Sequence, residues 1–282
     1  MRWIRYADRA GARWGVLHGD DAVLPLAAGR DGEAQVEALL RGQATAPDAD
    51  RGALVPLEGL RLLPPLLPEA TLYCVGLNYK SHVDETGRDL PPQPAIFIRT
   101  PASVVGANEA LEHPGVSTQF DFEGEVAVVI GEGGRGIRRE DALRHVAGYT
   151  CFNDASVRDY QQQSVSAGKN FHRSGACGPW IVAASAMPAG AELTVQTRLN
   201  GELVQSSHLG LLIYPVDQIV SYLSQFAQLR TGDIIATGTP SGVGARRTPP
   251  LWMKAGDEVE VTVGGVGVLR NQVRARAAVP GD

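Results

Sequence analysis

The sequence predicts a β-rich α+β protein with few helices, organised as one large domain preceded by a small one. Three observations carry that expectation. Glycine is enriched, at 33 of 282 residues, which points to many tight turns and short strands. Apolar residues fall mostly into short runs or alternation, the strand signatures, and only one long stretch repeats at three and four. The Pro-rich LLPPLLPEA at 62–70 breaks both helix and ladder, so a boundary falls there, with a small domain at 1–66 and a larger one at 67–282.

Taken in order, RWIRYA, RWGVLHG and AVLPLA read as short strands, and EAQVEALLRG as a helical patch. TLYCVGL (71–77), AIFIRT (95–100) and EVAVVIG (125–131) are strand-like. REDALRHV (139–146) carries apolar residues at helical spacing, and GYTCFND (148–154) is a strand with a polar end. PVDQIVSYLSQFAQL (215–229) is the longest helical pattern, with Val216, Ile219, Val220, Leu223, Phe226 and Ala227 on one face. DIIATGTPSGVG and the alternating DEVEVTVGGVGVL close the chain as strands with Gly-rich turns.

Composition excludes several classes. The formal net charge is −5 and no basic stripe interleaves with aromatics, so no nucleic-acid partner is expected. Cys74, Cys151 and Cys177 are odd in number and widely spaced, with no CxxC. They read as buried free thiols in a reducing cytoplasm rather than as disulfides or a zinc site. MRWIRYADRAGARWG lacks the apolar core of a signal peptide, and no stretch has the length of a membrane-spanning helix. The expectation is a soluble, cytoplasmic protein without membrane contact.

Gly131-Glu132-Gly133-Gly134-Arg135-Gly136 matches GxGxxG after a strand and before a helical pattern, with Asp154 beyond it. That spacing imitates a dinucleotide-binding turn. A first strand of such a fold is covered on both faces and reads as a continuous apolar run, whereas this one begins with carboxylates. A glycine turn is the better reading, and an NAD-dependent dehydrogenase is not expected.

Those carboxylates are Asp121, Glu123 and Glu125, two apart in DFEGEV. On a strand they share one face, with neighbours about 6 to 7 Å apart. Buried, three such groups repel unless a cation intervenes, and hard divalent ions prefer oxygen donors. A solvated edge strand explains the same pattern equally well. Asp154, at a strand end in NDASVRD, is either a further acid of the site or a helix N-cap. His82 and Glu85 stand at i, i+3 after the strand end GLNY, a spacing at which a carboxylate can orient an imidazole. Surface helices contain many such pairs. GKNF adds Lys169, and GTPSGVG (238–244) is a Gly-rich turn without the GK[ST] ending of a phosphate loop.

The order of these pieces is more specific than any one of them. GLNYxxHxxE, DxExE, NDxSxRDxQ, GKxF…GP and GDIIxTGTPSGVG, from about residue 70 to 273, resemble the fumarylacetoacetate hydrolase family. The resemblance implies a mixed β-sheet roll with flanking helices behind a small N-terminal domain, assembled as a homodimer. It makes Glu123, Glu125 and Asp154 the ligands of Mg²⁺ or Mn²⁺, with Asp121 in a supporting role. It makes His82 and Glu85 a water-activating dyad on a segment that closes over substrate, and Lys169 the cation beside developing negative charge. Arg158 and Gln161 match the polar wall near substrate, and Thr239 the threonine that holds a substrate carboxylate.

Implied with these is a site that stabilises an enolate derived from a 2-oxo acid. The leading expectation is a hydrolase cleaving a C–C bond in a 2,4-dioxo acid of the acylpyruvate or fumarylpyruvate type. A decarboxylase or tautomerase of a related 2-oxo diacid is the alternative, and a non-catalytic ligand-binding relative is a reading of another class. One departure is His172, where the family often has Asp after the lysine. It either retunes the neighbourhood of Lys169 or points to solvent.

Overall fold

The computed structural model describes residues 1–9, 11–45, 47, 54–187 and 192–276. The strand-forming runs pair into a twelve-stranded mixed sheet, a five-stranded sheet and a two-stranded ladder among these residues. The architecture is the expected β-rich α+β one. In the large sheet the path runs from Val55–Pro56 through Ala22–Ala28, Gly11–His18 and Arg2–Asp8 to Gly175–Ala183. It continues through Val146–Asn153, Gly124–Ile130, Ile234–Ala236 and Leu72–Gly76 to Ala95–Arg99. Arg2 lies opposite Val182 and Trp3 opposite Ile181. The sheet therefore runs straight through the Pro-rich boundary in the sequence.

Gly124–Ile130 sits inside this sheet, antiparallel to both neighbours, and all seven of its residues are buried. Its apolar run is continuous because both faces are covered. Ala127 and Val129 pack with Phe152 and Ile181 on one side, and Val128 and Ile130 with Ile219 and Leu223 on the other. Ile219 and Leu223 belong to the helix Val216–Phe226, whose three-and-four spacing buries Val216, Ile219, Val220 and Leu223. Each such side chain contributes roughly 1.5 to 3 kcal/mol on burial.

The second sheet runs Glu202–His208, Thr194–Leu199, Glu258–Val263, Gly267–Ala275, Leu111–His113. Its Val195, Val261 and Leu269 share a core with Val126, Cys151 and Ile4 of the large sheet. Asn200 and Gly201, with φ of 52° and 82°, turn its first hairpin, a pair suited to that left-handed geometry.

Two local expectations are corrected. Arg139–His145 forms a 3₁₀ helix. Only Ala142 of it is buried and Leu143 points outward, so no apolar stripe holds an α-helix there. The GxGxxG stretch leads into this short segment rather than into an α-helix. A side chain at Gly133 would lie 2.4 Å from the Leu229 carbonyl oxygen. Its glycine serves packing, and no helix N-terminus is available for a pyrophosphate. All three cysteines are free and buried. No described helix is long and apolar enough to cross a membrane.

Candidate active site

The acidic stretch is not one strand. Phe120–Asp121 pairs with Ser156–Val157, Phe122 and Glu123 leave the ladder, and pairing resumes at Gly124. Side chains replace the missing backbone partners: Glu123 N–H donates to Asn153 Oδ1 (3.2 Å) and Gly124 N–H to Gln205 Oε1 (2.9 Å). The expectation that Asp121, Glu123 and Glu125 share one strand face is therefore corrected. Asp121 is fully buried and accepts from the N–H groups of Gly244 (2.7 Å) and Ala245 (3.0 Å) and from Arg158 Nε (2.8 Å). Gly124, between the other two acids, cannot carry a side chain, because a Cβ would lie 2.0 Å from Thr197 Oγ1.

Glu123, Glu125 and Asp154 come together. Each offers a carboxylate oxygen, the three lie within 4.8 Å of one another, and all three residues are buried. The Asp154 N–H donates to the Glu123 carbonyl at 2.8 Å, which ties the two backbones. Asp154 is no helix cap: its carboxylate accepts from Arg99 Nη1 (2.7 Å) and Lys169 Nζ (2.6 Å). The solvated-edge alternative for Glu123 and Glu125 fails on their burial.

The cations around the three acids are almost fully engaged. Lys169 Nζ reaches Glu123 Oε2 (2.7 Å), Asp154 Oδ2 (2.6 Å) and the Asp154 carbonyl (2.9 Å), which uses all three of its N–H groups. Burial lowers its proton affinity, but Asp154 and Glu123 outweigh that and raise it above the usual lysine value, so it stands as an ammonium. Arg158 Nη2 bridges Asp121 Oδ2 and Glu123 Oε1, both at 2.7 Å. Burial drives the Glu123 carboxyl up, yet Lys169 and Arg158 hold it at about 2.

Glu125 differs. The Gly238 N–H donates to its Oε2 at 2.8 Å, and no lysine or arginine pairs with it among the described residues. Burial, then Asp154 and Glu123, push its carboxyl well above the usual range. A buried set of hard oxygen donors lacking one positive charge fits a divalent cation, and these three residues would hold it.

A cavity of about 1030 Å³ opens over the three acids and is also lined by His82, Arg158, Gln161, Lys169 and Thr239. His82 and Glu85 lie on the short helix Lys80–Thr86, with Nδ1 3.1 Å from Glu85 Oε2. Glu85 Oε1 accepts from Gly242 N–H at 2.8 Å. Nε2 of His82 is thus the ring nitrogen left for chemistry. Gln161 Oε1 accepts from Arg158 Nη1 at 2.9 Å. The Thr239 hydroxyl donates to the Gly124 carbonyl (3.1 Å) and accepts from Gln205 Nε2 (2.8 Å). His172 is exposed and does not line the cavity.

One residue of the site escaped sequence reasoning. Arg99, at the end of AIFIRT, is 1% exposed and donates to Asp154 Oδ1, the Ala155 carbonyl, and Ser103 and Ser174 Oγ. It fixes one Asp154 oxygen and leaves the other toward Lys169. An arginine ending an apolar strand gives no local sign of such burial.

Two family descriptions match the chain. "Rv2993c-like, N-terminal" covers residues 1–65, and "Fumarylacetoacetate (FAA) hydrolase C-terminal" covers residues 71–274. The chain belongs to the fumarylacetoacetate hydrolase family. Among its relatives in the family, oxaloacetate tautomerase YisK of Bacillus subtilis is 40% identical over 211 residues, 73% of this chain and 70% of the relative. The fumarylacetoacetate hydrolase structure from Exiguobacterium antarcticum superposes with a TM-score of 0.82 at 35% identity, covering 98% of this chain and all of the other. The 2-hydroxyhepta-2,4-diene-1,7-dioate isomerase of Mycobacterium marinum superposes at 0.79 with 30% identity, covering 99% of this chain and all of the other.

Proposed function

We propose that this family member is a divalent-metal-dependent tautomerase that interconverts the enol and keto forms of a 2-oxo dicarboxylic acid. The observation that carries the reading is the three-carboxylate set sharing a cavity with an oriented histidine. Glu123, Glu125 and Asp154 would hold Mg²⁺ or Mn²⁺, and the ion would supply Lewis-acid stabilisation of enolate charge. His82, oriented by Glu85, transfers the proton at C3 through Nε2. The Lys169 ammonium acts through its field, since its three N–H groups are already engaged. Arg158 and Gln161 form the polar wall beside the substrate. Thr239 holds the substrate carboxylate only after its hydroxyl releases the Gly124 carbonyl.

Tautomerisation is preferred to C–C cleavage because it asks only for one proton gained at C3 and one lost from oxygen, and because the name of the B. subtilis relative supports it. Hydrolysis of a 2,4-dioxo acid is the second reading, favoured by the name of the superposed Exiguobacterium structure and served by the same His82 activating a water. A cytoplasmic homodimer belongs to the same proposal, and sedimentation tests the assembly.

The deciding experiment follows exchange of the C3 protons of oxaloacetate in D₂O by NMR, with and without Mn²⁺ or Mg²⁺, alongside acetylpyruvate and fumarylpyruvate with products identified by mass. Metal-dependent exchange without cleavage is expected. Cleavage of a dioxo acid with no exchange on oxaloacetate would sink the tautomerase reading.

A further inference from the structure

Four lysine and arginine side chains line the cavity: Arg88, Arg158, Lys169 and Arg246. One of them has nothing left to offer a ligand, and a second is largely committed to the acids around it. Lys169 uses its three N–H groups on Glu123 and Asp154. Arg158 commits Nε and Nη2 to Asp121, Nη2 also to Glu123, and Nη1 to Gln161. The guanidinium groups of Arg88 and Arg246 make no ion pair or hydrogen bond among the described residues.

The backbones that carry these two arginines are held to the site and to each other. Asp121 accepts from Gly244 and Ala245 N–H, immediately before Arg246, while also holding Arg158, which in turn contacts Glu123. Gly244 is locked in place, since a Cβ there would lie 1.8 Å from the Leu251 carbonyl oxygen. Arg88 follows the helix that bears His82 and Glu85, beyond the turn at Gly87 with φ of 65°. The 2.8 Å bond from Gly242 N–H to Glu85 Oε1 staples the two arginine-bearing segments together. Two unengaged guanidiniums on adjoining, anchored segments thus line the same cavity as the carboxylates of Glu123, Glu125 and Asp154.

We infer that Arg246, assisted by Arg88, reads the second carboxylate of a dicarboxylate substrate and so sets specificity for diacids over monoacids. This rests on the proposed 2-oxo acid reaction at those three carboxylates. The 2-oxo carboxylate end lies over Glu123, Glu125 and Asp154, and the distal carboxylate takes the guanidinium fork, a geometry that arginine matches with two parallel bonds. Asp121, the acid that opens the DxExE motif, acts as a positioning residue for the arm.

Calorimetric titration of Mn²⁺-loaded protein with 2-oxoglutarate and with 2-oxobutyrate tests this without turnover, because the two acids share the 2-oxo carboxylate and differ in the second one. The parent is expected to prefer the diacid. In Arg246→Gln the diacid-to-monoacid affinity ratio falls about tenfold, the size of one charge-assisted bond at a partly wet rim. Arg246→Lys restores part of that ratio, and Arg88→Gln lowers it to a smaller extent. In turnover, the KM for oxaloacetate rises more than kcat falls. A parent with no diacid preference overturns the inference, as does an Arg246→Gln protein of parental melting temperature whose ratio is unchanged or which loses both acids equally. A parent that prefers the diacid but catalyses no C3 proton exchange refutes the tautomerase reading and leaves the arginine assignment standing.

Discussion

Replacing Glu125 by glutamine separates the metal-free and metal-loaded energetics of the site. Gln keeps the shape of the side chain and an acceptor for the Gly238 N–H, and removes the one carboxylate of the three without a cationic partner among the described residues. A carboxyl whose folded pKa is raised stabilises the fold below its unfolded pKa and loses that contribution as pH rises through the folded value. Burial, with Asp154 and Glu123, raises Glu125 in this way. Glu123, held at about 2, has the opposite sign: it stabilises above the ordinary carboxylate range and loses that only as pH falls toward 2. At about pH 8 the metal-free parent therefore bears a cost at Glu125, as a buried charge or as a proton held against the solution pH, for which about 2 kcal/mol is a moderate value. A chain of 282 residues unfolds with an entropy of about 0.6 kcal/mol/K, so about 2 kcal/mol shifts the melting temperature by about 3 °C. Chelated Glu125→Gln is expected to melt that much above chelated parent at pH 8 and to converge with it near pH 5. Mn²⁺ at about a hundred times its Kd adds about 2.7 kcal/mol to the parent, or about 4 to 5 °C, and little to the variant. Differential scanning calorimetry reads all four states. A chelated variant that melts below the parent at both pH values, or that gains as much as the parent from Mn²⁺, refutes the reasoning.

His82→Ala should retain the Mn²⁺-induced melting shift while C3 proton exchange on oxaloacetate, followed by NMR, falls by about 10² to 10⁴, the usual contribution of a general base. Arg99→Met should lower the melting temperature by about 5 to 8 °C, from about 3 to 5 kcal/mol for breaking a buried ion pair; a shift under about 1 °C by scanning fluorimetry would show that Asp154 is positioned otherwise. Gly124→Ala drives a methyl into Thr197 Oγ1 and should destabilise by about 1 to 3 kcal/mol while weakening the Mn²⁺ response. The double variant Gly124→Ala/Thr197→Ala removes the clash and should recover both in the same melting assay.

Elements whose burial is one-sided or periodic were legible from residues alone. Val216–Phe226 shows its apolar stripe in the spacing, and Glu258–Val263 its alternation, because each has one face on the core. Gly175–Ala183 did not show itself. Eight of its nine residues are buried, so it lacks alternation, and Gly, Cys and Pro mask its strand character. The hairpin at 194–208 did carry a signal, Asn200-Gly201 between alternating residues, which sequence reasoning passed over. At the site, the order of motifs picked out Glu123, Glu125, Asp154, His82, Glu85 and Lys169, and the fold brings all six to one cavity or its wall. Strand periodicity misplaced Asp121, because the ladder breaks where Asn153 and Gln205 amides stand in for backbone. Arg99 and the Arg88–Arg246 pair depend on contacts distant in sequence, which no local pattern announces.

The pairing of Arg2–Asp8 with Gly175–Ala183 bears on how this chain can be divided. Cutting near residue 66 would not liberate a smaller catalyst. It would remove Arg2 and Trp3 from beside Val182 and Ile181 and bare that end of a strand whose other edge supports Phe152 and Asn153, next to Asp154, while Val104–Val105 still covers Gly175 and Ala176. Such a naked edge recruits the same edge of another copy. The N-terminal segment thus covers an edge that would otherwise be open to pairing, and a shortened chain of residues 67–282 should be recovered as insoluble material or as edge-paired oligomers.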